Sequence, residues 1–148
     1  MFVIFNMIKS SAIDILKTFS DEELSLFEEF IGTPFHNKNV KVVHFFALLK
    51  KYHPEYSGEG LTKENLFLQL NGNVKYKDTY IRNLFSDLSS LAEKFLQLEL
   101  VSKDKTYERL LIEEIKNRDL FELAGKKIKT MLNSYTLFLN TKVKRIFH

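Results

Sequence analysis

Apolar side chains recur at intervals of three and four residues between residues 62 and 98. The clearest run is a stripe of seven members: Ile81, Leu84, Phe85, Leu88, Leu91, Ala92 and Phe95. This spacing places every member on one face of a helix with 3.6 residues per turn. The pattern predicts a long helix from Asp78 to about Leu98, preceded by a shorter helix that Thr62 caps.

The N-terminal half carries clear helix start and stop signals. Ser20-Asp21-Glu22-Glu23 has the sequence of a capping box, in which serine and glutamate side chains bond each other's backbone amides. The helix that starts there should end at Gly32, because Pro34 follows. The pattern also predicts a short helix that ends near Phe19 and a central helix over about 39–52. Phe35, between two of these helices, is expected to anchor its loop to the core.

The chain after Leu98 supports two alternatives. Residues 98–112 fit either a small β-hairpin or a loop followed by a sixth helix. The helix is favoured because Glu113, Glu114 and Lys116 extend the helical pattern without a β-branched run. A further helix is predicted over 119–132, with this apolar set: Leu120, Leu123, Ala124, Ile128, Met131 and Leu132. The segment 135–147 is both apolar and basic, and its conformation is left open.

These elements predict an all-α fold, a compact bundle of six to eight helices, with a small β-hairpin near 98–112 as the alternative element. The 45% apolar and 28% charged content is typical of a globular chain. Five Gly and two Pro are few, which suits long helices and short connections. We expect a single domain over residues 1–148, with a weak joint near 102–105.

Charge is distributed unevenly along the chain. Residues 1–100 contain 11 basic and 13 acidic side chains, whereas residues 101–148 contain 11 basic and 6 acidic ones. No acidic residue occurs from Gly125 onward, where six basic residues lie. Such a segment can contact phosphates, an anionic membrane or an acidic protein. The pattern favours a solvated helix face with cations near a helix C-terminus.

Residue types that carry chemistry are absent or wrongly spaced. The chain has no cysteine, and its four histidines never pair at a helical metal-ligand spacing. Paired glutamates lie on polar helix faces, and no phosphate-binding glycine loop is present. We therefore expect no enzymatic activity, no cofactor and no metal site. The segment from Met1 to Ile8 lacks a basic leader, which favours a cytoplasmic protein.

Part of the chain resembles the N-terminal region of a group of uncharacterised bacterial helical proteins. The resemblance covers about two thirds of the chain and implies a helical fold without a known activity. It is carried by these segments: Leu16–Leu24, Phe27, Phe30, Thr33–Asn39, Val42–Leu49, Leu61-Thr62-Lys63-Glu64 and Asp78–Leu96.

A narrower stretch resembles the helix-turn-helix of winged-helix transcription regulators. The two helices of that motif correspond to Thr62–Leu70 and Asp78–Leu96, and the wing corresponds to Leu98–Ile112. The resemblance implies nucleic-acid contacts by these residues: Lys75, Lys77, Arg82 and Asn83, assisted by Lys126, Lys127 and Lys129. Cations are sparse near the second helix, and the turn exceeds the usual length. The sequence therefore favours a hairpin that only packs, with nucleic-acid binding as the alternative.

The two ends of the chain concentrate apolar side chains. A contact surface is predicted for these residues: Phe2, Ile4, Phe5, Tyr135, Phe138 and Phe147. Large exposed apolar areas usually bind partners, so the leading hypothesis is a non-catalytic module that binds a protein or itself. Membrane binding through Lys142, Lys144 and Arg145 is the less favoured interpretation. No small-molecule substrate is indicated.

Overall fold

The structure, a computed structural model, describes residues 7–146, and the side chains of residues 7–145. Within that range the chain forms seven helices and no strand, which confirms the predicted all-α class. The helices are α1 (Ser11–Leu16), α2 (Asp21–Gly32), α3 (Val40–Lys50), α4 (Lys63–Asn71), α5 (Asp78–Lys103), α6 (Lys105–Asn117) and α7 (Phe121–Ile146).

The chain divides into two compact units, with the boundary between Leu98 and Glu99. The boundary falls inside α5, shortly before the joint predicted near 102–105. The first unit contains α1 to α4 and most of α5, and the second contains the end of α5, α6 and α7. A single domain over residues 1–148 stays a prediction.

Aromatic side chains form the centre of the first unit. Phe27 on α2 is fully buried, and its ring centroid lies 5.1 to 6.2 Å from those of Phe19, Phe30, Phe46 and Phe95. The predicted stripe on α5 contributes to the same core, with Ile81 and Leu88 fully buried within it. The Phe27 and Phe30 rings are stacked, whereas Phe27 meets the other three rings edge-to-face. Both arrangements stabilise aromatic pairs beyond the effect of buried area.

Two helix starts in the first unit match their sequence signals. The Ser20 hydroxyl accepts a hydrogen bond from the Glu23 amide at 3.1 Å, and the Glu23 carboxylate accepts one from the Ser20 amide at 2.8 Å. This is the complete capping box at the start of α2. The Thr62 hydroxyl accepts from the Asn65 amide at 3.1 Å and caps α4.

The prediction for Phe35 is wrong, because its side chain is 85% exposed. The neighbouring His36 stacks on Phe30 instead, with ring centroids 4.2 Å apart. A turn explains why His36 and not Phe35 contacts the core. The His36 amide donates a hydrogen bond to the Thr33 carbonyl at 3.0 Å, and this turn directs His36 inward and Phe35 outward.

Residues 98–112 are helical, apart from Asp104, so neither a β-hairpin nor a wing is present. The favoured sixth helix is confirmed, and the wing interpretation is wrong. The physical reason is a cap: the Asp104 carboxylate accepts a hydrogen bond from the Thr106 amide at 2.7 Å and starts α6. This hydrogen bond holds the pKa of Asp104 below its usual value.

The last helix is longer than the predicted 119–132 element. It runs over Phe121–Ile146 and includes the segment whose conformation the sequence left open. Asp119 adopts a φ of +61° just before it, a conformation that aspartate tolerates better than most side chains. No glycine or proline follows Gly125 in α7, so no residue ends the helix early.

Candidate interaction surface in α6 and α7

The second unit is built on a helical hairpin in which α6 packs against α7. Its buried apolar residues are Ile112, Ile115 and Ala124, and Ile128 and Met131 pack against them. The Arg118 amide donates to the Glu114 and Ile115 carbonyls and closes the end of α6. Three buried side chains make a thin core, because each helix of a pair can cover only one stripe of its neighbour.

The two helices of this hairpin differ in length. At 1.5 Å per residue, the 13 residues of α6 span about 20 Å, and the 26 residues of α7 span about 39 Å. Because α7 is about twice as long as α6, the part of α7 that extends beyond α6 cannot pack against it.

One side of α7 carries four apolar side chains spaced by three and four residues: Leu132, Tyr135, Leu139 and Val143. We call this set the α7 apolar face. Each of these side chains is between 49% and 57% exposed. Their spacing places them along about three turns of one side of the helix. The face is apolar, regular and open to solvent.

A groove of about 380 Å³ lies between this face and α6. Its lining consists of Lys105, Thr106, Arg109, Met131, Leu132 and Tyr135. Lys105 and Arg109 are separated by one helical turn, so both cations follow the α6 rim. No acidic side chain lines the groove. We call it the cationic groove.

Two ammonium groups sit over aromatic rings beside the groove. The Lys105 Nζ atom lies 5.2 Å from the ring centroid of Tyr135 and 5.0 Å from that of Phe138. The Lys142 Nζ atom lies 5.2 Å from the Phe138 centroid. These are cation–π distances, and they hold positive charge next to apolar surface.

A second groove, of about 320 Å³, also lies between α6 and α7. Residues of both helices line it, including Glu108 and Leu111 from α6 and Lys127 and Ser134 from α7. Glu108 and Lys127 supply opposite charges here. The cationic groove thus differs from it in having charge of one sign only.

Positive charge predominates along the rest of α7. Its one acidic residue, Glu122, pairs with Lys126 at 2.9 Å. In the ion pairs formed by residues 7–145, no other basic residue of α7 takes part. Lys129, Lys142, Lys144 and Arg145 therefore add to the positive field around the α7 apolar face.

Of the predicted contact residues, the structure describes Tyr135 and Phe138. Both lie on α7, half-exposed, and share the Lys105 contact. The other four predicted residues lie outside the described part of the chain: Phe2, Ile4, Phe5 and Phe147. Whether the two ends form one surface stays a prediction.

Sequence reasoning missed several residues of this surface. Leu132 belongs to the apolar set of the predicted 119–132 helix and was not assigned to the contact surface, yet it is exposed, as are Leu120 and Leu123 of the same set. The apolar spacing predicted the helix correctly but could not show how much of it α6 covers. Lys105 and Arg109 were missed because residues 98–112 had two competing interpretations. Asp104, whose carboxylate caps α6, is the sequence signal that could have located the start of this helix.

The predicted nucleic-acid residues fall in both units. Lys75 and Lys77 are exposed in the connection between α4 and α5, and Arg82 and Asn83 are exposed on α5. Lys126, Lys127 and Lys129 are exposed on α7, in the second unit. Nucleic-acid binding by these residues stays a prediction.

Arg82 is already engaged within the first unit. Its Nε atom lies 3.0 Å from the Asp78 carboxylate, which Lys63 also approaches at 3.3 Å. The Tyr76 hydroxyl donates to the same carboxylate at 3.0 Å. Tyr76, Lys63 and Arg82 together hold the pKa of Asp78 below its usual value. The negative charge of Asp78 therefore offsets the positive charges of Lys63 and Arg82, which a phosphate would otherwise contact.

Residues 7–146 contain neither a cluster of candidate metal ligands nor a helix able to span a membrane. No group of three or more histidine, aspartate or glutamate side chains there is arranged to hold a metal ion. No helix between residues 7 and 146 has the length and apolar character needed to cross a membrane.

Comparison with known proteins gives no relative. No protein-family model, no curated protein and no solved structure matches this chain. The resemblance to bacterial helical proteins therefore stays a prediction from sequence.

Proposed function

We propose that this chain is a non-catalytic helical module that binds another protein through α6 and α7. One observation carries the proposal. Of the 20 large apolar side chains that are exposed in the described residues, 13 lie after Leu98, in the second unit. Concentrated apolar surface of this kind usually marks a contact site on a protein.

The hairpin offers a partner helix a site that two helices alone leave open. A helix of a globular protein buries its apolar stripe against other elements, and a third helix can lie in the groove between two others. The α7 apolar face and the groove beside it present such a site. The bound helix would complete the packing that Ile112, Ile115 and Ala124 begin.

A partner other than a second copy fits the charges better. Two copies that met at this face would bring Lys105, Arg109 and Lys142 of each chain close to the same residues of the other. Like charges in contact cost free energy and select against such pairing. We therefore favour a heterologous partner over self-association.

A fragment display screen tests the proposed function. Protein fragments encoded by the source genome are displayed and selected on the full chain, and each enriched fragment is purified for affinity measurement. We expect at least one fragment that binds the wild-type chain but loses binding to the double variant Leu132→Ser/Leu139→Ser. Removing two apolar contacts at a groove should weaken affinity by on the order of 100-fold.

The matched control is the double variant Asn133→Ser/Asn140→Ser, which changes neighbouring α7 positions that are polar already. It should retain full binding, and circular dichroism should show equal helix content in all three chains. If the face variant and the control retain the same fragments with equal affinity, or if no fragment is enriched, the proposed function is wrong.

A further inference from the structure

We infer that the partner of the cationic groove is an amphipathic helix with acidic residues along its edges. The inference rests on the proposed function and adds the chemistry of the partner. In this arrangement the partner lies along α7, with apolar side chains on the α7 apolar face and carboxylates toward Lys105 and Arg109.

Charge complementarity is the first argument. Lys105 and Arg109 are the only charged side chains that line the groove, and both are exposed. Lys142 adds a third cation next to Phe138. An acidic helix would place opposite charges against these groups, which raises both specificity and the rate of association.

The geometry sets the expected pattern of the partner. The α7 apolar face spans residues 132–143, or about 17 Å at the rise of a helix. A partner helix of three to four turns would cover this length, with its apolar residues spaced by three and four. Because Lys105 and Arg109 are one turn apart, partner carboxylates spaced by three or four residues would face both of them.

The same observations argue against the other occupants of a cationic surface. A nucleic acid would satisfy the cations but would leave Leu132, Leu139 and Val143 exposed beside it. A membrane would take up those side chains, yet a groove between two helices is concave and fits a rod better than a flat surface. A second copy would bring cations together.

The test uses a displayed library of amphipathic helices of about four turns. Leucines are fixed at the three-four spacing, and the flanking positions vary among Glu, Gln and Lys. The full chain is the selecting protein. We expect Glu to be enriched at positions one turn apart, and binding to weaken as salt concentration rises.

Charge reversal provides the decisive comparison. The double variant Lys105→Glu/Arg109→Glu should bind the selected acidic helix about tenfold more weakly, since each exposed ion pair contributes modestly. The same variant should instead select Lys-rich helices. The control Lys75→Glu/Lys77→Glu changes net charge equally, at two exposed residues of the first unit that line neither groove between α6 and α7, and it should keep the preference for Glu. Leu132→Ser/Leu139→Ser should abolish all enrichment.

Each contrary outcome is distinguishable. Helices that bind without any preference for Glu would overturn the acidic partner and leave the proposed function standing. Stronger binding to anionic vesicles or duplex DNA than to the acidic helix would overturn it in favour of those ligands. A dimer that Leu132→Ser/Leu139→Ser dissociates would identify a second copy as the occupant. A monomer that enriches no helix and no protein fragment would overturn both proposals.

Discussion

The two units use the same kind of amphipathic helix but cover its apolar stripe to different extents. Among the described residues, the first unit buries 21 apolar side chains in one core, and the second buries three. In the first unit several helices surround Phe27, whereas the second unit is built mainly on the pairing of α6 with α7. The comparison teaches that the number of neighbouring helices, more than the apolar pattern itself, decides whether a stripe becomes core or contact surface.

The largest expected effect is at the centre of the first core. Phe27→Ala should lower the free energy of unfolding by about 3–5 kcal/mol, because it removes a buried ring from four aromatic neighbours. Ile115→Ala, in the thin core of the second unit, should cost less than about 2 kcal/mol, since solvent lies close by. Urea denaturation measures both. Equal losses would remove the contrast between the units.

A second effect, which depends on pH, concerns a polar group enclosed in the first unit. Tyr56 is buried, its hydroxyl has no hydrogen-bond partner among the described residues, and burial raises its pKa from 10.0 to about 12. The folded chain thus holds this proton more tightly than the unfolded chain. The contribution of the protonated Tyr56 hydroxyl to the free energy of unfolding is therefore complete below pH 10. It decreases by about 2 kcal/mol as the pH rises toward 12.

Tyr56→Phe isolates this contribution, because Tyr76 and the lysines are common to both proteins. The difference in unfolding free energy between wild type and variant should change between pH 9 and 12, in the direction that favours the variant at high pH. A difference that stays constant over that range would show that the hydroxyl is not enclosed.

A smaller effect is expected at the surface of the first unit. Ser20→Ala removes one half of the capping box and should cost about 1 kcal/mol in the unfolding free energy. Ser25→Ala is the matched control within the same helix, where the hydroxyl bonds only the Asp21 carbonyl, and it should change stability by less than about 0.5 kcal/mol. Chemical denaturation at neutral pH compares them, and equal effects would contradict the role of the cap.

Local signals predicted much of the fold. The capping box at Ser20, the cap at Thr62 and the stripe on α5 all specify structure through neighbours within a few residues in sequence, and each prediction is confirmed. Phe35 failed because its burial depends on the direction of a turn, which apolar character does not reveal. The extent of α7 was open because its second half combines apolar and basic residues and contains no helix stop signal.

The candidate surface was only partly predictable. Tyr135 and Phe138 were identified from the concentration of apolar side chains toward the two ends of the chain, and both are exposed on α7. Leu132 has the same spacing as a core residue, and only packing shows that α6 leaves it open. Lys105 and Arg109 come together with Tyr135 through the hairpin, which brings residues distant in sequence to one groove.

Native-state hydrogen exchange tests the central claim most directly, namely that α6 and α7 form a surface that a partner completes. In the free chain, amides of α3 should exchange only through global unfolding, whereas amides in the second half of α7 should exchange through local opening at much lower free energy. Addition of the selected acidic helix should slow exchange in α7 and leave α3 unchanged. Equal protection of α3 and α7 in the free chain would contradict the account.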